Sequence, residues 1–212
     1  KAERFRFVGR ERGYHGMNIG CISVGGMINN VKTFASVLMP GVQHMRHTHL
    51  PEHKFVSGQP ETGGDLADDL ERIAMNFGPE NIAACIVEPI AGSTGTLVPP
   101  KGYLQKLRDI CDKHGILLIF DEVITGWGRT GSSFASIEYG VTPDIMTMAK
   151  ATTNGVVPMG VVACRDEIYD SVMNASPMGS VELFHGYTYS GIPVAVAAAL
   201  AVQNINKKED IF

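Results

Sequence analysis

An α/β fold, a mostly parallel sheet with helices on both faces, is predicted by three features of the sequence. Two apolar sets at helical spacing, Leu66/Leu70/Ile73/Phe77 and Leu104/Leu107/Ile110/Cys111, are each followed by a short continuous apolar run, at 82–87 and 116–120. Runs of that kind suit parallel strands, which are buried on both sides by the helices that connect them. Glycines punctuate the alternation: Gly78-Pro79 stops the first helix and Gly115 the second.

Taken in order, residues 4–8 alternate in the manner of a strand. Residues 20–60 contain Gly, Asn and His with weak periodicity, which predicts a long loop region with one or two short helices near 29–38. A helix then begins at 65, and 82–87 follows as a buried strand. Pro99-Pro100 opens the next helix and 116–120 is the next strand. Short strands are predicted at 145–148 and 160–163, and a helix at 193–205.

The chain has 212 residues, 44% hydrophobic and 19% charged, enough for one sizeable core. Lys+Arg 18 against Asp+Glu 22 leaves a formal net charge of -4 with no basic run, so neither nucleic acid nor an anionic membrane is an expected partner. A small molecule or another protein is. Cys21, Cys85, Cys111 and Cys164 stand in apolar contexts without CxxC spacing, which predicts reduced, packed thiols and a cytoplasmic location. The longest apolar run, 193–202, is shorter than the roughly 20 residues a bilayer requires. The first residues lack the apolar stretch of a signal peptide, and both ends read as cuts within a longer chain.

Two strand-like runs each deliver one ionisable group at their carboxyl end: ILLIF ends in Asp121, and DIMTMA ends in Lys150. In open α/β sheets ligands bind beyond the carboxyl ends of the strands, so this acid and amine are the lead candidates for chemistry. Asp121 borders a low-dielectric interior and needs a cationic or strongly donating partner: a protonated ring nitrogen on a cofactor, or, as a plain turn carboxylate, Arg129. Glu122 is expected to face helices or solvent. Lys150 in a desolvated pocket could form a Schiff base with an aldehyde; the plainer account is a lysine whose stem is covered and whose head reaches water.

Several motifs occur in one order along the whole chain: Tyr14-His15-Gly16; Val87-Glu88-Pro89 with Gly92; Phe120-Asp121-Glu122-Val123 with Gly126 and Gly128-Arg129-Thr130-Gly131; Met148-Ala149-Lys150; and Gly186-Tyr187-Thr188-Tyr189-Ser190-Gly191. In that order they resemble the class III pyridoxal-phosphate aminotransferases. The segments at 55–60, 141–144, 153–155 and 184–190 are most similar to the ω-amino acid:pyruvate (β-alanine:pyruvate) branch.

The resemblance implies that 1–212 is the central part of the large cofactor-binding domain of a fold-type I enzyme. It implies a transaminase passing an amino group from an ω-amino acid or amine to pyruvate or a similar oxo acid through a pyridoxal 5'-phosphate Schiff base; the alternative is a fragment of such an enzyme with no independent activity. Lys150 is then the covalent anchor and proton shuttle, and Asp121 the partner of the ring nitrogen. Tyr14, His15 and Val123 contact the cofactor. Thr188 reaches the phosphate held by a neighbouring subunit, which implies a homodimer or tetramer. Glu88 is assigned to the substrate pocket with a role toward a mobile arginine, the plainer account being a surface strand-end acid before a proline; Trp127, where Phe or another apolar residue is common, either shapes the mouth of that pocket or simply packs. Ile124 and Ile192 replace a Gln and a His common elsewhere in the family. The phosphate cup and the carboxylate-gripping arginine of the family have no counterpart in these residues. The His47/His49/His53 cluster lacks a ligand spacing for a metal, and its expected place is a loop at the entrance of the site.

Overall fold

The computed structural model describes residues 4–178 and 180–212. Six strands form one sheet in the order β2-β1-β3-β4-β5-β6. They are β1 (Arg6–Arg10), β2 (Val42–Met45), β3 (Ile82–Val87), β4 (Leu117–Asp121), β5 (Ile145–Met148) and β6 (Val161–Cys164). The first five run parallel and β6 pairs antiparallel with β5. The α/β class with a mostly parallel sheet is therefore what the sequence predicts. From β1 the chain first adds β2 on one side and then returns to place β3 on the other. That reversal opens a crevice at the carboxyl ends of β1 and β3, the usual place for a ligand in such sheets.

Strand periodicity assigns the helices to faces. Val8, Cys85, Val87, Leu118 and Phe120 point into a core shared with Leu66, Leu70 and Ile73 and with Tyr103, Leu104, Leu107 and Cys111. These come from α3 (Asp68–Phe77), its preceding 3-10 turn, and α4 (Tyr103–His114). Gly9, on the opposite face of β1, meets α1 (Ile19–Val24): a Cβ there would lie 1.9 Å from the Val24 carbonyl oxygen. Only a residue without a side chain allows that approach. The remaining helices are α2 (Ile28–Thr33), α5 (Ala135–Glu138), α6 (Asp166–Ala175) and α7 (Pro193–Lys208).

Helix ends follow local chemistry. The Asn18 side chain accepts from the Cys21 N–H at the start of α1, and Gly115, at φ 62, closes α4 by donating to the Cys111 and Asp112 carbonyls. Three acidic residues, Asp68, Asp69 and Glu71, occupy the first turn of α3, where they complement the helix dipole.

The structure also departs from the sequence reading. β2 and α1 lie within the region predicted as loop, and α6 has no predicted counterpart. β1 begins two residues later than expected, with Phe5 left 56% exposed. Cys85 and Cys111 are buried, and burial pushes their thiols up, Cys111 to about 12. Cys164 is exposed rather than packed, because β6 is the outer strand. Among the described residues no helix is long and apolar enough to cross a membrane.

Candidate active site

Four loops, each leaving the carboxyl end of a parallel strand, meet around one cavity of about 210 Å³. Its walls are Tyr14, His15 and Gly16 after β1, Glu88 after β3, Asp121, Val123 and Ile124 at the end of β4, and Lys150 after β5. The topology thus brings Tyr14, His15, Glu88, Asp121, Val123 and Lys150 together. Trp127 and Thr188 are not among the lining residues.

Asp121 is the last residue of β4 and is 6% exposed. Its Oδ1 accepts the Val123 N–H at 3.0 Å, and its Oδ2 lies 2.8 Å from His15 Nδ1. Its protein partner is therefore His15, not Arg129. The ring of His15 is nearly enclosed, with its side chain 2% exposed, and its Nε2 is buried with no hydrogen-bond partner among the described residues. Burial and the Asp121 charge push the nearby Cys21 thiol up, so it is held protonated.

Glu88 is 4% exposed and spends both carboxylate oxygens on backbone: Oε1 accepts the Tyr14 N–H at 2.9 Å and Oε2 the Gly92 N–H at 2.9 Å. A free carboxylate ready for a mobile arginine is not what the geometry gives; the acid ties the β1 and β3 loops together. Arg10, 2% exposed, donates to the Glu88 carbonyl at 2.8 Å.

Lys150 opens a 3-10 turn, Lys150–Thr152, with φ 45, in the left-handed region that residues with a Cβ seldom occupy. It lines the cavity but is exposed, so these residues do not enclose its amine in the desolvated pocket that the strand-end context suggests. Glu122, predicted to face helices or solvent, is fully buried and caps the start of α5. It accepts the Ala135 and Ser136 N–H groups at 3.0 and 2.7 Å and the Thr125 hydroxyl. Trp127, at φ 61, packs on Phe134 with ring centroids 4.9 Å apart and donates from Nε1 to Thr152 Oγ1 at 2.9 Å. Thr188 lies in an exposed stretch.

His47, His49 and His53 do not line the cavity. His53 is committed to its own loop, with Nδ1 3.1 Å from the Thr48 carbonyl and Nε2 3.2 Å from Thr62 Oγ1. Two contributors escaped the sequence reading. Gly16 stands beside two candidates inside a quoted motif. Thr152 gave no signal of its own beyond lying in a Thr/Asn/Gly turn after Lys150.

An open α/β sheet whose strand ends bring a buried acid, a histidine and a lysine to one small cavity has the arrangement in which such sheets bind small molecules. Comparison with known proteins gives the family. The family model for aminotransferase class-III matches residues 1–212, and the chain belongs to that family. Aminotransferases of this class are pyridoxal-phosphate enzymes.

Among curated relatives, the chain is 56% identical to an omega-aminotransferase of Caulobacter vibrioides, over 100% of this chain and 48% of the relative. It is 50% identical to an omega-amino acid--pyruvate aminotransferase of Pseudomonas putida, over 100% of this chain and 47% of the relative. The chain spans about half the length of the curated relatives it matches. Among solved structures, it superposes on an (S)-enantioselective omega-transaminase from Thermomicrobium roseum with a TM-score of 0.88 at 40% identity, covering 98% of this chain and 45% of that one. An omega transaminase from Pseudomonas jessenii in complex with PMP gives 0.83 at 36% identity, covering 97% and 45%.

Proposed function

We propose that residues 1–212 are the central part of the large cofactor-binding domain of an aminotransferase that uses pyridoxal 5'-phosphate. Its reaction moves an amino group from an ω-amino acid or amine to pyruvate or a similar oxo acid. The observation that carries the reading is the convergence of Asp121 and Lys150 on one cavity whose wall includes Tyr14, His15 and Val123. The residues present fit the cofactor: an acid on one wall, an amine at the rim, and a buried, unpartnered ring nitrogen on His15.

When bound, pyridoxal phosphate supplies an aldehyde carbon and an electron-withdrawing ring. Lys150 would hold that group through its primary amine, which condenses with an aldehyde with loss of one water, and its Nζ would afterwards take up and return a proton. Asp121, fixed by the Val123 N–H and by His15, would hold the ring nitrogen of that group. His15 keeps that carboxylate in one rotamer. Tyr14, its backbone pinned by Glu88, gives an aromatic wall and Val123 an aliphatic one, which suits a planar ring.

Thr188 is exposed and away from this wall, which supports its assignment to the cofactor phosphate of a neighbouring copy in a homodimer or tetramer. Unpaired cysteines, one of them exposed, support a reducing, cytoplasmic setting.

The test is to add pyridoxal phosphate, reduce with borohydride and locate the label by peptide mass spectrometry. The label is expected on Lys150, and a label on another lysine overturns the assignment. Alanine formation from pyruvate with β-alanine as donor then tests turnover. The exposure of Lys150 supports a second reading, a chain that holds the pocket without turning over alone; labelled Lys150 with no alanine formed is its signature.

A further inference from the structure

We infer that Trp127 is a positioning residue for Lys150, acting through the hydroxyl of Thr152; the inference rests on Lys150 being the cofactor lysine. Lys150 holds φ 45, a conformation that persists in a residue with a Cβ only when its surroundings impose it. Contacts on both sides of the residue impose it here. The Thr153 and Gly155 N–H groups donate to the Lys150 carbonyl at 3.3 and 3.1 Å. On the preceding side, the Ala149 carbonyl accepts both the Thr152 N–H at 2.9 Å and the Thr152 hydroxyl at 3.0 Å.

That hydroxyl is where Trp127 enters. The indole N–H can only donate, and it donates to Thr152 Oγ1 at 2.9 Å. With a lone pair of Oγ1 taken, the single hydroxyl proton is directed to the Ala149 carbonyl, the peptide group joined to Lys150. Thr152 is 3% exposed, so water cannot readily replace either bond.

Trp127 is itself held. Its φ is 61, its N–H donates to the Ser133 carbonyl at 2.6 Å, and its ring rests on Phe134. The far end of its loop is closed by Glu122, which binds the N–H groups of Ala135 and Ser136. Glu122 follows Asp121 directly, so one loop connects the strand end that carries the acid to the turn that carries the amine. A phenylalanine at 127 could fill the same space against Phe134, but it has no N–H to orient Thr152. The indole nitrogen is what distinguishes positioning from packing.

The test compares wild type, Trp127→Phe, Thr152→Val, the double variant and Thr152→Ser. Each is reacted with formaldehyde and cyanoborohydride, and lysine methylation is followed residue by residue by mass spectrometry, with exposed Lys32 as internal reference. Both single variants should change the Lys150 rate relative to Lys32 by about fivefold, the size of one hydrogen bond's net effect. The double variant should do no more than either single, because both remove one connected pair of bonds. Thr152→Ser, which keeps the hydroxyl, should stay within about twofold of wild type.

A Trp127→Phe rate within about twofold of wild type, or effects that multiply in the double variant, overturns the inference. If Trp127→Phe does not fold, Thr152→Val against Thr152→Ser decides it: equal Lys150 rates overturn the role of the hydroxyl. Pyridoxal labelling of wild type separates the two levels of the argument. A label away from Lys150 defeats the functional assignment, whereas a label on Lys150 with unchanged methylation in the variants defeats only the role of Trp127.

Discussion

Replacing Glu88 with glutamine tests whether this acid serves the backbone or a substrate. In the structure its two oxygens accept one N–H each, from Tyr14 and Gly92, both at 2.9 Å. Glutamine keeps the shape but has one acceptor oxygen, and its NH₂ must face the other N–H. The change removes one charge-assisted bond, worth about 1.5–3 kcal/mol, and leaves a partly buried donor unpaired at about 1–3 kcal/mol. The two effects share a site and do not add fully, so a loss of about 3 kcal/mol is expected. Urea unfolding followed by far-UV circular dichroism measures it. Because the Tyr14 backbone is released, borohydride-trapped pyridoxal phosphate on Lys150 should fall as well. Unchanged urea stability, within about 0.5 kcal/mol, would refute the tethering role and return Glu88 to the substrate pocket.

Two further outcomes follow from the same structure. Burial alone would raise the Asp144 carboxyl, but the Leu118 N–H and the Arg108 and Arg165 guanidinium groups override it and hold the group below the usual carboxylate range. A lowered folded-state value means that its stabilisation is complete above the ordinary Asp value of about 3.9 and is lost as pH falls below that through the folded-state value. Asp144→Asn should therefore lower stability at neutral pH by about 2–3 kcal/mol and flatten the acid limb of a melting-temperature profile; an acid limb like that of wild type would count against it. Gly9→Ala places a methyl 1.9 Å from the Val24 carbonyl oxygen and should cost about 2 kcal/mol or more by moving α1 off the sheet, as read by thermal unfolding.

The sequence revealed most where one physical signal dominated. The run at 82–87 coincides with β3 because four of its six residues are buried and none is exposed, and helical spacing in α4 matches a stripe of buried Leu104, Leu107, Ile110 and Cys111. β2, with the sequence VQHM, is an outer strand only partly buried and offered no such run. α6 buries no residue fully, so its apolar spacing was too thin to see. Asp121 and Lys150 could be picked out as candidates because one ends an apolar strand and the other follows one by two residues. The His15 partner of Asp121 lies 106 positions away, and only the sheet order brings them together. The double duty of Glu88 and the bond from Trp127 to Thr152 were illegible for the same reason: they are tertiary contacts between loops, set by topology rather than by local pattern.

The antiparallel pairing of β6 has a mechanical consequence. β5 and β6 form a ladder from Ile145↔Cys164 to Met148↔Val161, and Lys150 lies in the connection at its closed end. At the open end the Arg165 N–H donates to the Asp144 carbonyl at 3.0 Å while its guanidinium grips the Asp144 carboxylate at 2.9 Å. A slip of one residue between the two strands would turn every side chain to the opposite face and break this latch in the same motion. The ladder is thus a short ruler: the latch at one pole of the sheet sets the zero mark, and the amine is read off at the other.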